Sequence, residues 1–155
     1  MERVKILVLV DGLHSRETFA SLASLLDLRS SRVLLAYVTG PGPRAGLDLM
    51  RHGPRARPLP PHRERELREA EESAGGDAIS DAEAAAREHG AETESIVLAG
   101  KPGHAVCALA DQHDVDLVVV RAGGRDLPSI GPGSLGPAAR FIADHCRAPV
   151  LLLRS

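Results

Sequence analysis

The chain has 155 residues, 43 % of them hydrophobic and 26 % charged, which suits one soluble globular domain over 1–155 and argues against global disorder. A formal net charge of -2 removes the basic footprint of a nucleic-acid binder, and 2 % aromatic residues leave no stacking platform for single strands. Nucleic acid is therefore not expected as a partner, and no apolar stretch is long enough to span a bilayer.

The first apolar run, Val4 to Val10, is short, contains Lys5 and leads straight into Asp11-Gly12. It lacks the features of an export signal and predicts a strand in a cytoplasmic protein. Ser15 then stands where it can cap a helix whose apolar positions Phe19, Leu22, Ala23 and Leu26 make one buried stripe. A second strand is expected over Arg32 to Val38. From Gly40 to Pro61 the chain is dense in Pro, Gly and Arg, which predicts a mobile loop.

His62 to His89 is highly charged and helix-forming, but Gly75 and Gly76 interrupt it and Ser80 with Glu83 matches a capping box. Two helical pieces or one kinked helix are expected, with the charged face in solvent. Glu94 to Ala99 predicts the third strand. After Gly103 the residues Val106, Leu109 and Ala110 mark another helix, and Leu117 to Val120 the fourth strand. A glycine-bearing loop follows from Arg121 through Gly124, Arg125, Gly131, Gly133 and Gly136. Pro137 then fits a first helical position, ahead of Ala138, Phe141 and Ile142, and Val150 to Leu153 is the last strand.

Apolar residues in these strands are nearly continuous rather than alternating, as strands covered on both faces require. The alternation of strands and helices is that of a doubly wound parallel α/β sheet. Cys107 and Cys146 fall in predicted helices without metal-ligand spacing, and buried free thiols are expected ahead of a disulfide.

In such a sheet, ligands sit at the carboxyl ends of the strands where chain order reverses. Asp11 ends the first strand and the glycine loop follows the fourth, so the two are expected to share a crevice. Glycines let backbone N–H groups approach phosphate, but they serve turns equally well, and Asp11 reads as readily as a turn or cap carboxylate. The seven histidines are scattered, and no Ser-His-Asp, paired-carboxylate or metal-ligand grouping is evident. A phosphoacceptor site would need an acidic pair after the first strand, where Asp11 is followed by Gly12.

Along almost its whole length the chain resembles universal stress proteins. The resemblance is carried by Ile6-Leu7-Val8-Leu9-Val10-Asp11-Gly12, by the strand ending at Val38 and by Gly100-Lys101-Pro102. Asp114 to Val120 and Cys146-Arg147-Ala148-Pro149-Val150-Leu151-Leu152-Leu153 extend it in the same order. It implies a Rossmann-like three-layer α/β/α sandwich with a five-stranded parallel sheet of order 3-2-1-4-5, paired as a homodimer through the C-terminal strand. It further implies a stress-response module, not an enzyme beyond slow ATP hydrolysis, that binds an adenine nucleotide, foremost ATP, with no metal but nucleotide-associated magnesium. Asp11 and Val38 match positions that contact adenosine, and Gly124 and Gly136 match the second and last glycines of the phosphate loop.

Three departures accompany that match. Arg121 stands at the first loop glycine, the spacer between Gly124 and Gly136 is about two residues longer than the usual nine, and Pro137 replaces a hydroxyl residue. Gly133-Ser134 offers a second register, and Arg121 and Arg125 offer charged donors in compensation. The alternative is a dimeric interaction scaffold of the same fold that does not bind nucleotide.

Overall fold

Strands that are apolar on both faces must be covered twice, and the chain does this with two helices on each side of one sheet. The computed structural model describes residues 3–39, 60–124 and 126–154. In chain order these form β1 (Val4–Leu9), α1 (Ser15–Leu25), β2 (Ser31–Thr39), α2 (Pro61–Glu88), β3 (Glu92–Ala99), α3 (Pro102–His113), β4 (Leu117–Arg121), α4 (Pro137–His145) and β5 (Val150–Leu153), with a short 3-10 turn at Leu28–Ser30. The sheet is fully parallel with order β3-β2-β1-β4-β5, as expected.

Successive side chains of a strand point to opposite faces. Ile6, Val8 and Val10 accordingly join Phe19 and Leu22 of α1 and the alanines of α2 in one core, while Leu7 joins Val106, Leu109 and Ile142 of α3 and α4 in the other. The register Ile6↔Leu117, Leu7↔Val118 and Val8↔Val119 puts the ends of β1 and β4 side by side.

In the middle of the chain, the single-helix alternative holds and the capping-box expectation is corrected. α2 is one helix of 28 residues, unbroken at Gly75 and Gly76. Its buried stripe is Gly75, Ala78, Ile79, Ala82, Ala85 and Ala86, and Gly75 belongs to it because a Cβ there would meet the Tyr37 ring at 3.0 Å. Packing of that stripe outweighs a helix-propensity cost of about 1 kcal/mol per glycine, and Ser80 and Glu83 lie inside the helix rather than at a start. Of the loop expected over 40–61, residues 40–59 lie outside the described residues, and Pro61 is already the first residue of α2, a position where its missing N–H costs nothing.

A further correction concerns the cysteines. Cys107 and Cys146 are not free thiols but form a disulfide, with their Cα atoms 5.1 Å apart. The cause is the tight approach of α3 to α4. Gly103 faces Phe141 so closely that a Cβ would stand 2.8 Å from the Phe141 Cβ, and Phe141 is stacked between His104 and His145. Side-by-side helices at that spacing carry the two sulfurs into bonding reach.

Candidate functional site

The turn after β1 is organised by one carboxylate. Asp11 Oδ1 accepts the backbone N–H of Leu13 at 2.9 Å and of His14 at 3.1 Å, and its Oδ2 lies 2.9 Å from His14 Nδ1. This is an Asx-type turn, helped by Gly12 at φ 81°, and it delivers the chain into α1 with His14 at the N-cap. Ser15 is thus the first helical residue and not the cap; the N-cap is His14, which makes no side-chain cap hydrogen bond. Burial opposes ionisation of Asp11, but the Leu13 amide, the His14 ring, the His14 amide and its charge together outweigh it and hold the carboxyl below the usual aspartate range.

Across the gap, β4 ends at Arg121, whose guanidinium donates to Thr18 Oγ1 of α1 at 3.3 Å. The chain then turns at Gly123 with φ 110°, its N–H donating to Leu135 O at 3.1 Å. Gly136, at φ 81°, is the N-cap of α4, and Pro137 occupies the first helical position as expected.

Between these two turns lies a crevice of about 560 Å³ at the carboxyl edge of the sheet. Leu9, Val10, Val38 and Val120 give it an apolar floor, Asp11 and Arg121 give it charge, His14 adds its ring, and Gly123 and Gly124 form its glycine wall. Pro102 and Ala138 add the starts of α3 and α4, so two helix N-termini adjoin the same space. Of the four expected site residues, Asp11, Val38 and Gly124 therefore line one crevice. Gly136 is set behind them, facing Leu127 and Gly123 O.

Other expected contributors are placed differently. Ser134, the hydroxyl of the second register, is buried at 3 % exposure and accepts from Arg154 at 3.3 Å, so that hydroxyl is engaged away from the crevice. Arg125 lies outside the described residues. Among the described residues no grouping of three or more His, Cys, Asp or Glu side chains is placed to hold a metal, and no helix is long and apolar enough to cross a membrane.

Sequence reasoning passed over His14, whose signal was its position three residues after Asp11, the spacing of a local side-chain pair. It also passed over Pro102 and Ala138 as site residues, which carry no local signal of that role and are brought in by the helix starts. An apolar floor with a carboxylate acceptor at one end and a guanidinium and glycine wall at the other suits a flat polar-edged ring that carries hydroxyls and an anion.

Comparison with known proteins agrees on architecture. The profile described as Universal stress protein family matches residues 3–154. No curated protein matches the sequence. Among solved structures, universal stress protein UspA from Lactobacillus plantarum is 22 % identical with a TM-score of 0.72, the match covering 99 % of this chain and 99 % of that one. The Archaeoglobus fulgidus universal stress protein in complex with dAMP is 20 % identical with a TM-score of 0.67, over 99 % and 100 % of the two chains. An Arabidopsis thaliana family protein with AMP bound is 17 % identical with a TM-score of 0.65, over 98 % and 92 %.

Proposed function

The chain belongs to the universal stress protein family, and from that membership we propose that its carboxyl-edge crevice binds an adenine nucleotide as a signal of cellular state rather than as a substrate. The observation that carries this reading is the convergence of Asp11, Val38 and Gly124 on one crevice. Solved relatives in complex with dAMP, with cAMP and with AMP support the choice of ligand class.

Each residue has a role dictated by its chemistry. Asp11, held ionised by its amide donors, accepts from ribose hydroxyls with the strength of a charge-assisted bond. Val38 and Val120 pack against the adenine faces. Gly124 and the start of α4 receive phosphate on backbone N–H groups at the positive end of the helix dipole, and Arg121 adds a guanidinium. Magnesium enters only with the nucleotide's own phosphates. Binding shifts the population of the 122–136 loop, and this ordering is what a partner protein reads. The reading is a binding module that works in the cytoplasm in stress response.

The module acts as a dimer through β5. That strand is an edge with a single neighbour, β4, and its residues Val150 to Leu152 are half-buried apolar side chains. A second copy pairing there would complete the backbone ladder and cover them.

Calorimetric titration with ATP, ADP, AMP and cyclic AMP tests the reading. Saturable heat is expected, weakened about tenfold or more in Asp11→Ala because a charged hydrogen-bond acceptor is lost. Absence of binding heat at millimolar ligand would sink it.

The scaffold reading without nucleotide is favoured by Pro137, which withdraws a backbone donor from the loop. It predicts gently purified protein free of nucleotide by native mass spectrometry.

A further inference from the structure

Asp11 meets the crevice with most of its accepting capacity already committed. A carboxylate has about four lone-pair sites, shared equally between its oxygens. Those of Oδ1 are taken by the backbone N–H groups of Leu13 and His14, at 2.9 Å and 3.1 Å, and one on Oδ2 is taken by the His14 ring at 2.9 Å. A single accepting position on Oδ2 is left for a ligand.

The His14 ring supplies a second one. Asp11 is held ionised and has no proton to give, so the proton of the Asp11–His14 bond sits on Nδ1. In the neutral ring Nε2 then keeps its lone pair, and among the described residues it makes no hydrogen bond. Asp11 and His14 both line the crevice, so this wall presents two acceptors, Oδ2 and Nε2, and no side-chain donor to spare. A ribose carries two O–H donors on neighbouring carbons, whereas a 2′-deoxy or 3′-deoxy sugar keeps only one. The side chains of His14 and Asp11 are 40 % and 38 % exposed, so water can replace a missing hydroxyl and the discrimination is that of one net hydrogen bond, about fivefold to tenfold.

Resting on the nucleotide reading of this crevice, we propose that Asp11 and His14 together read the ribose diol and so select ribonucleotides over deoxyribonucleotides. Asp11 Oδ2 accepts one hydroxyl and His14 Nε2 the other, which makes His14 a specificity-determining contact and not only a partner of the turn.

The test is calorimetric titration of the full chain with AMP, 2′-deoxy-AMP and 3′-deoxy-AMP at about pH 8, above the ordinary range of imidazole protonation. Wild type is compared with His14→Phe, which keeps a flat ring and removes both nitrogens. Wild type should bind AMP about fivefold or more tightly than either deoxy analogue. In His14→Phe the hydroxyl that met Nε2 becomes expendable, so at least one of the two ratios should fall to within about twofold. Either analogue binding the wild type as tightly as AMP overturns the proposal and leaves the nucleotide reading standing. So do two unchanged ratios in a His14→Phe variant that melts cooperatively. Nitrogen-15 spectra of the imidazoles in the ligand-free wild type give a readout that needs no nucleotide: Nδ1 of His14 should carry the proton and Nε2 be bare, and the opposite tautomer overturns the proposal. Should the variant fail to fold, the wild-type ratios and that spectrum decide. Failure of all three ligands to bind the wild type removes the nucleotide reading, and the selectivity falls with it.

Discussion

The two edges of the sheet hold cavities of similar size and opposite character. At the amino edge a hollow of about 690 Å³ is bordered by Arg3, Lys5, Arg32, Glu92 and Asp116, and at the carboxyl edge the crevice beside Asp11 measures about 560 Å³. The amino edge answers its own charges. Glu92 pairs with Arg3 and, at 4.0 Å, with Arg32, while Asp116 accepts the Lys5 N–H at 2.8 Å and the Lys5 ammonium reaches His113 O at 3.5 Å. The carboxyl edge instead sets an apolar floor of Leu9, Val10, Val38 and Val120 beside Asp11, which pairs with His14 at 2.9 Å, and Arg121, which donates to Thr18. Size does not mark the site. What marks it is the convergence of strand ends, glycine turns and helix starts on one gap.

The contrast can be broken from the carboxyl side in a graded way. The disulfide spans 39 residues of sequence, a ring that contains β4, the glycine loop and α4, and closing a loop of that length stabilises the fold by about 4 kcal/mol in the chain-entropy account. A reducing cytoplasm opens such bonds by thiol exchange. Thermal melts with and without dithiothreitol should therefore show a clear fall in Tm, matched by the double variant Cys107→Ser, Cys146→Ser without reductant. Next in size is Gly103→Ala, whose methyl would press on Phe141 at under 3 Å, and overpacking of that kind costs about 1–3 kcal/mol. Chemical denaturation reads that loss as a lower midpoint at unchanged slope.

Asp11→Asn should cost less, about 1 kcal/mol for weakened bonds to the Leu13 and His14 amides. Its signature is the pH dependence. The folded-state value of Asp11 is lowered, so its contribution is complete above the unfolded value of about 3.9 and is lost as pH falls through the lower folded value. Denaturation midpoints of wild type and Asp11→Asn should stay a constant distance apart from neutral pH down to about 4 and converge below it. Smallest is Glu92→Gln at the amino edge. Both partners of its pair with Arg3 are half-exposed, so stability should move by about 0.5 kcal/mol or less and nucleotide affinity not at all.

Much of the fold was legible because burial on two faces leaves its mark in the sequence. The apolar runs at Val4 to Val10 and Leu117 to Val120 announced central strands, and both lie in the middle of the sheet. Asp11 followed by Gly12 announced a turn carboxylate, and Asp11 makes that turn. What stayed hidden depended on contacts between distant segments. Gly75 looked like a helix breaker until the Tyr37 ring gave it a reason to be small, and Cys107 and Cys146 carried no sign that Gly103 lets their helices close up. In the same way, the glycines at 124 and 136 read as phosphate residues in sequence, while their shared neighbour Leu127 emerges only from the path of the loop.

Nitrogen-15 amide shifts followed during titration with AMP test the contrast between the edges most directly. The account predicts movement at Leu13, His14, Val38, Gly123 and Gly124, with Lys5, Arg32 and Glu92 unmoved. Movement concentrated at the amino edge, or a spectrum that AMP leaves unchanged, would contradict it.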